Sequence, residues 1–244
     1  MREPLPKTFQ GLPVVSAGVM RLLDRAATER FKIAELALME NAGKGVALRA
    51  LEFLQGPLAK APDQASVVVC CGRGANGGDG LVAARFLKEA GAKVRVFICP
   101  AKDGGYPVSV AANLERLKAA GVSAEPVETT EPLAAALKDA HLLLDALLGT
   151  GASGKPTGTI RQIIQAVTRS KVPVLAVDVP SGIHPDTGYH SGVYVTAAVT
   201  LTLGLAKRGL VAPHAKKYVG GLEVLDIGYP PELIREVARA QEIP

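Results

Sequence analysis

Seven short runs of branched apolar residues punctuate the chain from Ser66 onward: SVVVCC, KVRVFICP, VSAEPVE, HLLLDALLG, VPVLAVDVP, AAVTLTLG and GLEVLDIG. Runs of this length, rich in Val, Ile and Leu, read as buried strands. Helical stretches at 81–90, 108–120, 132–140 and 160–169 lie between the first five. Strand and helix alternating in this way require right-handed crossovers and a mostly parallel sheet with helices on both faces. The expected class is therefore α/β, doubly wound. Ahead of it, apolar residues from 15 to about 54 (Val19, Leu22, Leu23 and Ala26, then Ile33, Leu36 and Met39) recur at helical spacing, which predicts an N-terminal helical segment of two helices with Ser16 and Lys32 near their starts. The segment 56–64 is the one plausible boundary and is only loop-sized, so a single domain over 1–244 is expected.

Composition removes several function classes. Of 244 residues 48% are hydrophobic and 21% charged, too apolar for disorder. The 26 Gly and 17 Pro follow no Gly-X-Y period, which excludes collagen. With Trp 0, Tyr 5 and Phe 5 there is no cluster of rings among basic residues to stack single-stranded nucleic acid. A net charge of +5 comes from 28 basic residues scattered among 23 acids, which suits anionic small ligands better than a nucleic-acid stripe. The 3 cysteines cannot complete a disulfide framework, and Cys70 and Cys71, neighbours in a strand-like run, read as buried thiols on opposite faces. The 4 histidines are isolated from one another in sequence. No apolar stretch of about 18 residues occurs, so a soluble, cytoplasmic protein is expected.

In a doubly wound sheet the ligand sits beyond the carboxyl ends of the strands. The first strand runs into GRGANGGDG (72–80), whose opening matches G-x-G-x-x-G, a turn that brings backbone N–H groups to a pyrophosphate. Asp79 would repel a phosphate there, and the next strand ends in FICP without an acid for a ribose hydroxyl, so a dehydrogenase reading weakens. A simple tight turn capped by Asp79 is the other reading, though five glycines in nine residues exceed what a cap requires. The fourth strand ends in DALLGTGASGKP (145–156), which satisfies G-x-x-x-x-G-K but places Pro156 where a P-loop needs Ser or Thr. Such a loop can still cradle phosphate through its amides, Lys155 and the hydroxyls of Thr150 and Ser153, or it is a solvated loop with an incidental Lys. The fifth strand ends in DVPSG (178–182). Asp178 alone would pass for a cap, but with Asp145 it makes two strand-end carboxylates that are costly to bury without partners. Oxygen donors such as Asn76, Asp145 and Ser181 favour a hard cation over a transition metal. No G-x-S-x-G elbow or Ser/His/Asp order is present, which disfavours a hydrolase triad.

Taken together and in this order, GRGANGGDGLVAARFL, DALLGTGASGKPTG and VLAVDVPSGIHPDTG, preceded by ALMENAG (37–43), closely resemble the N-terminal-type domain of the NAD(P)H-hydrate epimerase family. The resemblance runs from about 15 to 228. It implies a Rossmann-like domain, usually dimeric, that interconverts the R and S epimers of hydrated NADH and NADPH and binds a potassium ion. Carried over by motif, the potassium ligands would be Asn76, Asp145 and Ser181. The hydrated nucleotide would contact Ala75, Asn76, Gly77, Gly78 and Asp79, then Gly149, Thr150, Gly151, Ala152, Ser153, Gly154 and Lys155, and Asp178. Ala75 stands where the family usually has a second Asn, leaving any contact there to the backbone.

The substrate carries a hydroxyl on ring carbon C6 beside N1. Protonating that hydroxyl lets water leave, N1 stabilises the cation, and water returns to the opposite face. Asp178 is the first candidate for proton transfer and Asp79 the second. Many bacterial relatives carry a fused dehydratase that repairs the S epimer; here the chain ends at Pro244, so the dehydratase is expected to be a separate partner. A homodimer is expected, with no nucleic-acid or membrane partner. A non-catalytic nucleotide-binding or scaffold module is the competing reading, because relatives of this domain occur in RNA-decapping scaffolds and in a lipoprotein-binding protein. The joint presence of Asn76, Asp79, Asp145, Asp178 and Ser181 argues for catalysis, and Pro156 argues against phosphoryl transfer.

Overall fold

Val67, Val69 and Cys71 pack into one apolar core while Val68 and Cys70 pack into another, because successive side chains of a strand point to opposite faces. This alternation makes the sheet the wall between two helical layers. The computed structural model describes residues 5–152 and 154–242. Its elements run β1 (Thr8–Phe9), β2 (Leu12–Pro13), α1 (Ala17–Glu29), α2 (Glu35–Gln55), β3 (Ser66–Cys71), α3 (Ala75–Glu89), β4 (Lys93–Ile98), α4 (Val108–Ala119), β5 (Ala124–Pro126) and α5 (Glu131–Lys138). They continue with β6 (Leu142–Ala146), α6 (Gly158–Ser170), β7 (Val174–Val177), β8 (Val199–Leu203), α7 (Lys216–Val219), β9 (Gly221–Leu225) and α8 (Pro231–Glu242).

All seven apolar runs form strands of one sheet, ordered β5-β4-β3-β6-β7-β8-β9, and every pairing between them is parallel. The chain moves outward from β3 to β5, then crosses back to lay β6 beside β3 and continues the other way. The connections after β3 and β6 therefore leave in opposite directions, and the crevice between them is the switch point at which such sheets bind ligands. Helices α2, α3 and α4 cover one face, with α5 and α6 on the other. Residues of α1 and α2 belong to the same core as the sheet, so the helices before segment 56–64 pack on the sheet itself. Among the described residues no helix is long and apolar enough to cross a membrane.

Several local features differ from expectation. Helix α3 begins at Ala75, inside the glycine-rich segment, with Gly74 as its N-cap and no side-chain capping bond. Asp79 is thus within the helix rather than its cap. Lys32 takes a left-handed turn (φ 57°), and α2 starts at Glu35 behind Ala34, whereas Ser16 caps α1 by accepting a hydrogen bond from the Val19 amide. The two-residue β1–β2 pair is too short to show a period, and α8 (PELIREVARAQE) carries Leu233, Ile234 and Val237 at helical spacing.

The glycines instead explain how closely elements approach. A Cβ at Gly43 of α2 would lie 2.4 Å from the Val82 Cβ of α3, and one at Gly78 would lie 2.5 Å from the Met39 sulfur. The two helices meet almost backbone to backbone. At the end of β3, a Cβ on Gly72 would lie 1.9 Å from the Leu147 carbonyl oxygen, a backbone atom that cannot swing away. Gly72→Ala is therefore expected to lower stability by about 2 kcal/mol or more in chemical denaturation. Gly151→Ala, where a Cβ meets nothing within 4 Å, should change it by no more than about 0.5 kcal/mol. Equal effects would refute this account of the crossing.

Candidate active site

Asp178 is the first residue beyond β7 and adopts a left-handed backbone (φ 68°), a conformation seldom taken by residues other than glycine and often found at functional sites. Its amide still donates to the Leu201 carbonyl (2.8 Å), so the chain turns without leaving the sheet. The carboxylate is buried and fully engaged. Oδ1 accepts from the Lys207 ammonium at 2.5 Å and from the Leu203 amide at 3.4 Å, and Oδ2 accepts from the Thr150 amide (2.7 Å) and hydroxyl (2.6 Å). Lys207, only 1% exposed, gives its other protons to Thr202 Oγ1 (3.0 Å) and the Leu203 carbonyl (2.8 Å). Its backbone is pinned to the strand-like lead into α1: Val15 donates to Ala206 and Arg208 donates to Val15, both at 2.9 Å. Burial pushes the Asp178 carboxyl up, but the Lys207 charge and the bonds from Lys207 and Thr150 outweigh it, leaving the group below the usual carboxylate range.

Asp79 is in the opposite state. It is buried on the second turn of α3, and its carboxyl has no hydrogen-bond donor among the described residues. Burial, reinforced by repulsion from Asp178, Asp24 and Glu35 and only partly offset by Lys207, pushes it well above the usual range. The two walls of the site thus push their carboxyl groups in opposite directions.

Asp145, fully buried in β6, accepts from the Ser181 hydroxyl (2.7 Å) and amide (2.8 Å) and from the Leu147 amide (3.3 Å). Burial raises it to about 6 against the opposing pull of these bonds. The Ser181 hydroxyl also accepts from the Leu148 amide at 3.0 Å, so Asp145 and Ser181 staple the ends of β6 and β7 together. Asn76, in the first turn of α3, has a side-chain amide shut away from solvent with no partner for either Oδ1 or Nδ2. Buried amides are normally satisfied, so an orphaned one marks a place where a polar ligand is wanted. A Cβ on Gly149 would lie 2.8 Å from Asp178 Oδ2 and 3.1 Å from Asn76 Cγ, which shows how tightly the loop after β6 draws these groups together. Among the described residues no three of His, Cys, Asp or Glu gather as a metal site.

These groups surround a cavity of about 640 Å³ at the switch point. Ala75, Asn76, Asp79, Gly149, Thr150, Gly151, Ala152 and Asp178 line it, as expected of them. Asp145 and Ser181 are buried behind the Leu147–Leu148 backbone that does line it. Gly77 and Gly78 are helix-packing positions, where a Cβ would meet the Gly72 carbonyl at 2.1 Å and Met39 at 2.5 Å. Gly154 and Lys155 line a second cleft of about 310 Å³, and Ser153 lies outside the described residues. Sequence reasoning missed Lys207, Asp24 and Tyr229, all of which line the first cavity. Tyr229 donates its hydroxyl to Asp24. The signal for Lys207 was weak, one of a Lys207-Arg208 pair shortly after AAVTLTLG; Asp24 sits among other polar residues of α1 and had none.

The family described as "YjeF-related protein N-terminus" matches residues 35–209. A bifunctional NAD(P)H-hydrate repair enzyme of Thermofilum pendens is 40% identical over 92% of the chain, which spans 42% of that relative's length. An NAD(P)H-hydrate epimerase of Pirellula staleyi is 40% identical over 89% of the chain and 93% of its own length. A crystal structure of the yeast protein ynu0 superimposes with a TM-score of 0.73 at 27% identity, covering 81% of this chain and 83% of that one.

The raised Asp79 acid has a consequence for stability. Unfolded, it ionises near the ordinary carboxylate value; folded, it holds its proton well above that, so stability falls as pH rises through the interval. Asp79→Asn removes this linkage. Its thermal midpoint relative to the unmodified protein is expected to climb as pH rises above the ordinary carboxylate value, and a difference that stays flat would show that Asp79 titrates normally.

Proposed function

Because the chain belongs to the YjeF-related N-terminal family, we propose that it is an epimerase of hydrated NADH and NADPH, the activity named in its relatives from Pirellula staleyi and Elusimicrobium minutum. The observation that carries this reading is the meeting in one cavity of Asp178, ion-paired to Lys207 and held below the usual carboxylate range, with Asp79, buried without a donor and pushed well above it. Two titratable groups pushed apart by their surroundings supply an acid and a base at the same pH. Asp79 donates a proton to the C6 hydroxyl, the C6–O bond breaks, and water departs as N1 shares the positive charge. As water adds to C6 on the other face it gives a proton to Thr150 Oγ1, whose own hydroxyl proton passes along its hydrogen bond to Asp178 Oδ2, and exchange with solvent restores both carboxyl groups. Nothing is oxidised or reduced. Asp178 also faces the transient cation with negative charge, which stabilises it in a site from which much water is excluded.

A potassium ion fits the residues present. The orphaned Asn76 amide offers an oxygen without a partner, and Asp145 and Ser181 offer further oxygens at the ends of adjacent strands. Asn76, Asp145 and Ser181 would hold it, and when bound it supplies positive charge near the nucleotide. The reading includes a functional partner, a dehydratase acting on the S epimer.

Following the R epimer of hydrated NADPH chromatographically, with and without the protein, tests the reading. Accelerated equilibration with the S epimer is expected, faster in potassium than in a matched tetramethylammonium buffer. Asp178→Asn and Asp79→Asn should each lower kcat by about a hundredfold or more. Near-normal turnover in either variant removes that residue's role, and no acceleration by the folded protein removes the function.

A further inference from the structure

The loop after β6 has two sides. Its Leu148, Gly149 and Ala152 line both the catalytic cavity and the second cleft, so one extended molecule can lie across it. The two spaces differ in charge. The first is mixed, lined by Asp24, Glu35, Asp79 and Asp178 together with Arg21, Arg25, Arg73 and Lys207, whereas among the described residues no acid lines the second. Asp186, the acid closest to it in sequence, is committed elsewhere, accepting from the Ala17 amide at 2.6 Å.

The second cleft also carries unspent donors. Lys155 is exposed at its wall and makes no ion pair or hydrogen bond within the described chain. His184 accepts at Nδ1 from the amides of Asp186 (3.1 Å) and Thr187 (3.3 Å), which puts its proton on Nε2, where none of the described residues takes it. Beside them Tyr189 is 50% exposed. One face of its ring is stacked on His214 with centroids 4.1 Å apart and planes at 17°, and His214 is itself held by its Nε2 contact with the Thr187 carbonyl at 2.8 Å. The result is a fixed aromatic plate next to a cation, with no acid among the described residues that line the space.

We propose that this second cleft receives the adenosine end of the dinucleotide and that Lys155 reads the phosphate monoester on its ribose, making it a specificity-determining residue for the phosphorylated substrate. This rests on the function proposed above and assigns the half of the substrate that the chemistry does not touch. Such a monoester carries nearly two negative charges at neutral pH and three acceptor oxygens. In the second cleft it meets Lys155 and the His184 Nε2–H with no acid among the described lining residues, while the purine lies against Tyr189.

Calorimetric titration with adenosine 2′,5′-bisphosphate and adenosine 5′-monophosphate tests this without relying on turnover. The bisphosphate should bind about tenfold more tightly, as one charge-assisted contact implies. Lys155→Ala should erase the difference, and Tyr189→Ala should weaken both ligands. In epimerisation assays Lys155→Ala should lower kcat/KM for hydrated NADPH more than for hydrated NADH, by a similar factor. Equal binding of the two fragments, no binding of either, or discrimination that survives Lys155→Ala would overturn the assignment. The two proposals fail separately: a chain that epimerises without discriminating the fragments loses only the subsite, and one that discriminates them without epimerising loses only the function.

Discussion

The ion pair between Asp178 and Lys207 sets the electrostatics of the whole cavity. A lone carboxylate at that depth would be neutral, and a lone ammonium would be intolerable; each is kept charged by the other and by donors and acceptors that use every remaining bond. Asp79 is pushed the other way: burial without a donor of its own raises its carboxyl well above the usual range, and the negative charge of Asp178 adds to this while Lys207 partly offsets it. The pair thus holds Asp178 as the base, and the buried position of Asp79 on α3 favours the acid.

The fold supplies the distances that make this work. Asp178 comes from the turn after β7, Lys207 from the segment after β8, Thr150 from the loop after β6 and Asp79 from the helix after β3. Four strand ends converge because the sheet is parallel throughout and reverses direction between β3 and β6. Two close approaches tighten the arrangement. Gly72 lets the backbone after β3 touch that after β6, and the Asp145–Ser181 staple joins the ends of β6 and β7. The lead into α1 closes the far side by holding the backbone on either side of Lys207.

Much of this was legible in the sequence. The seven strands were visible because buried parallel strands are nearly continuous apolar runs, and the helices between them showed their own period. Asn76, Asp79, Asp145 and Asp178 stood out as polar residues at strand ends. Less legible was anything decided by contacts between distant segments. The glycines of 72–80 look like a phosphate loop on paper, yet Gly77 makes room for the Gly72 carbonyl and Gly78 for Met39 of α2, the latter a partner that no local window contains. Lys207 gains its meaning from Asp178, and Tyr229 from Asp24, far away along the chain. Lys155 looked continuous with Gly149–Ala152, but the loop turns it into the second cleft.

The central claim is that Asp79 and Asp178 hold opposite protonation states in the same cavity at neutral pH. Carbon-13 labelling of aspartate side chains, with resonances assigned through Asp79→Asn and Asp178→Asn, reads this directly. The account predicts an Asp79 carboxyl resonance still in its protonated position at neutral pH and an Asp178 resonance that remains ionised down into the acid range. Two ionised carboxylates at neutral pH, or a titration of Asp79 at the ordinary carboxylate value, would contradict it.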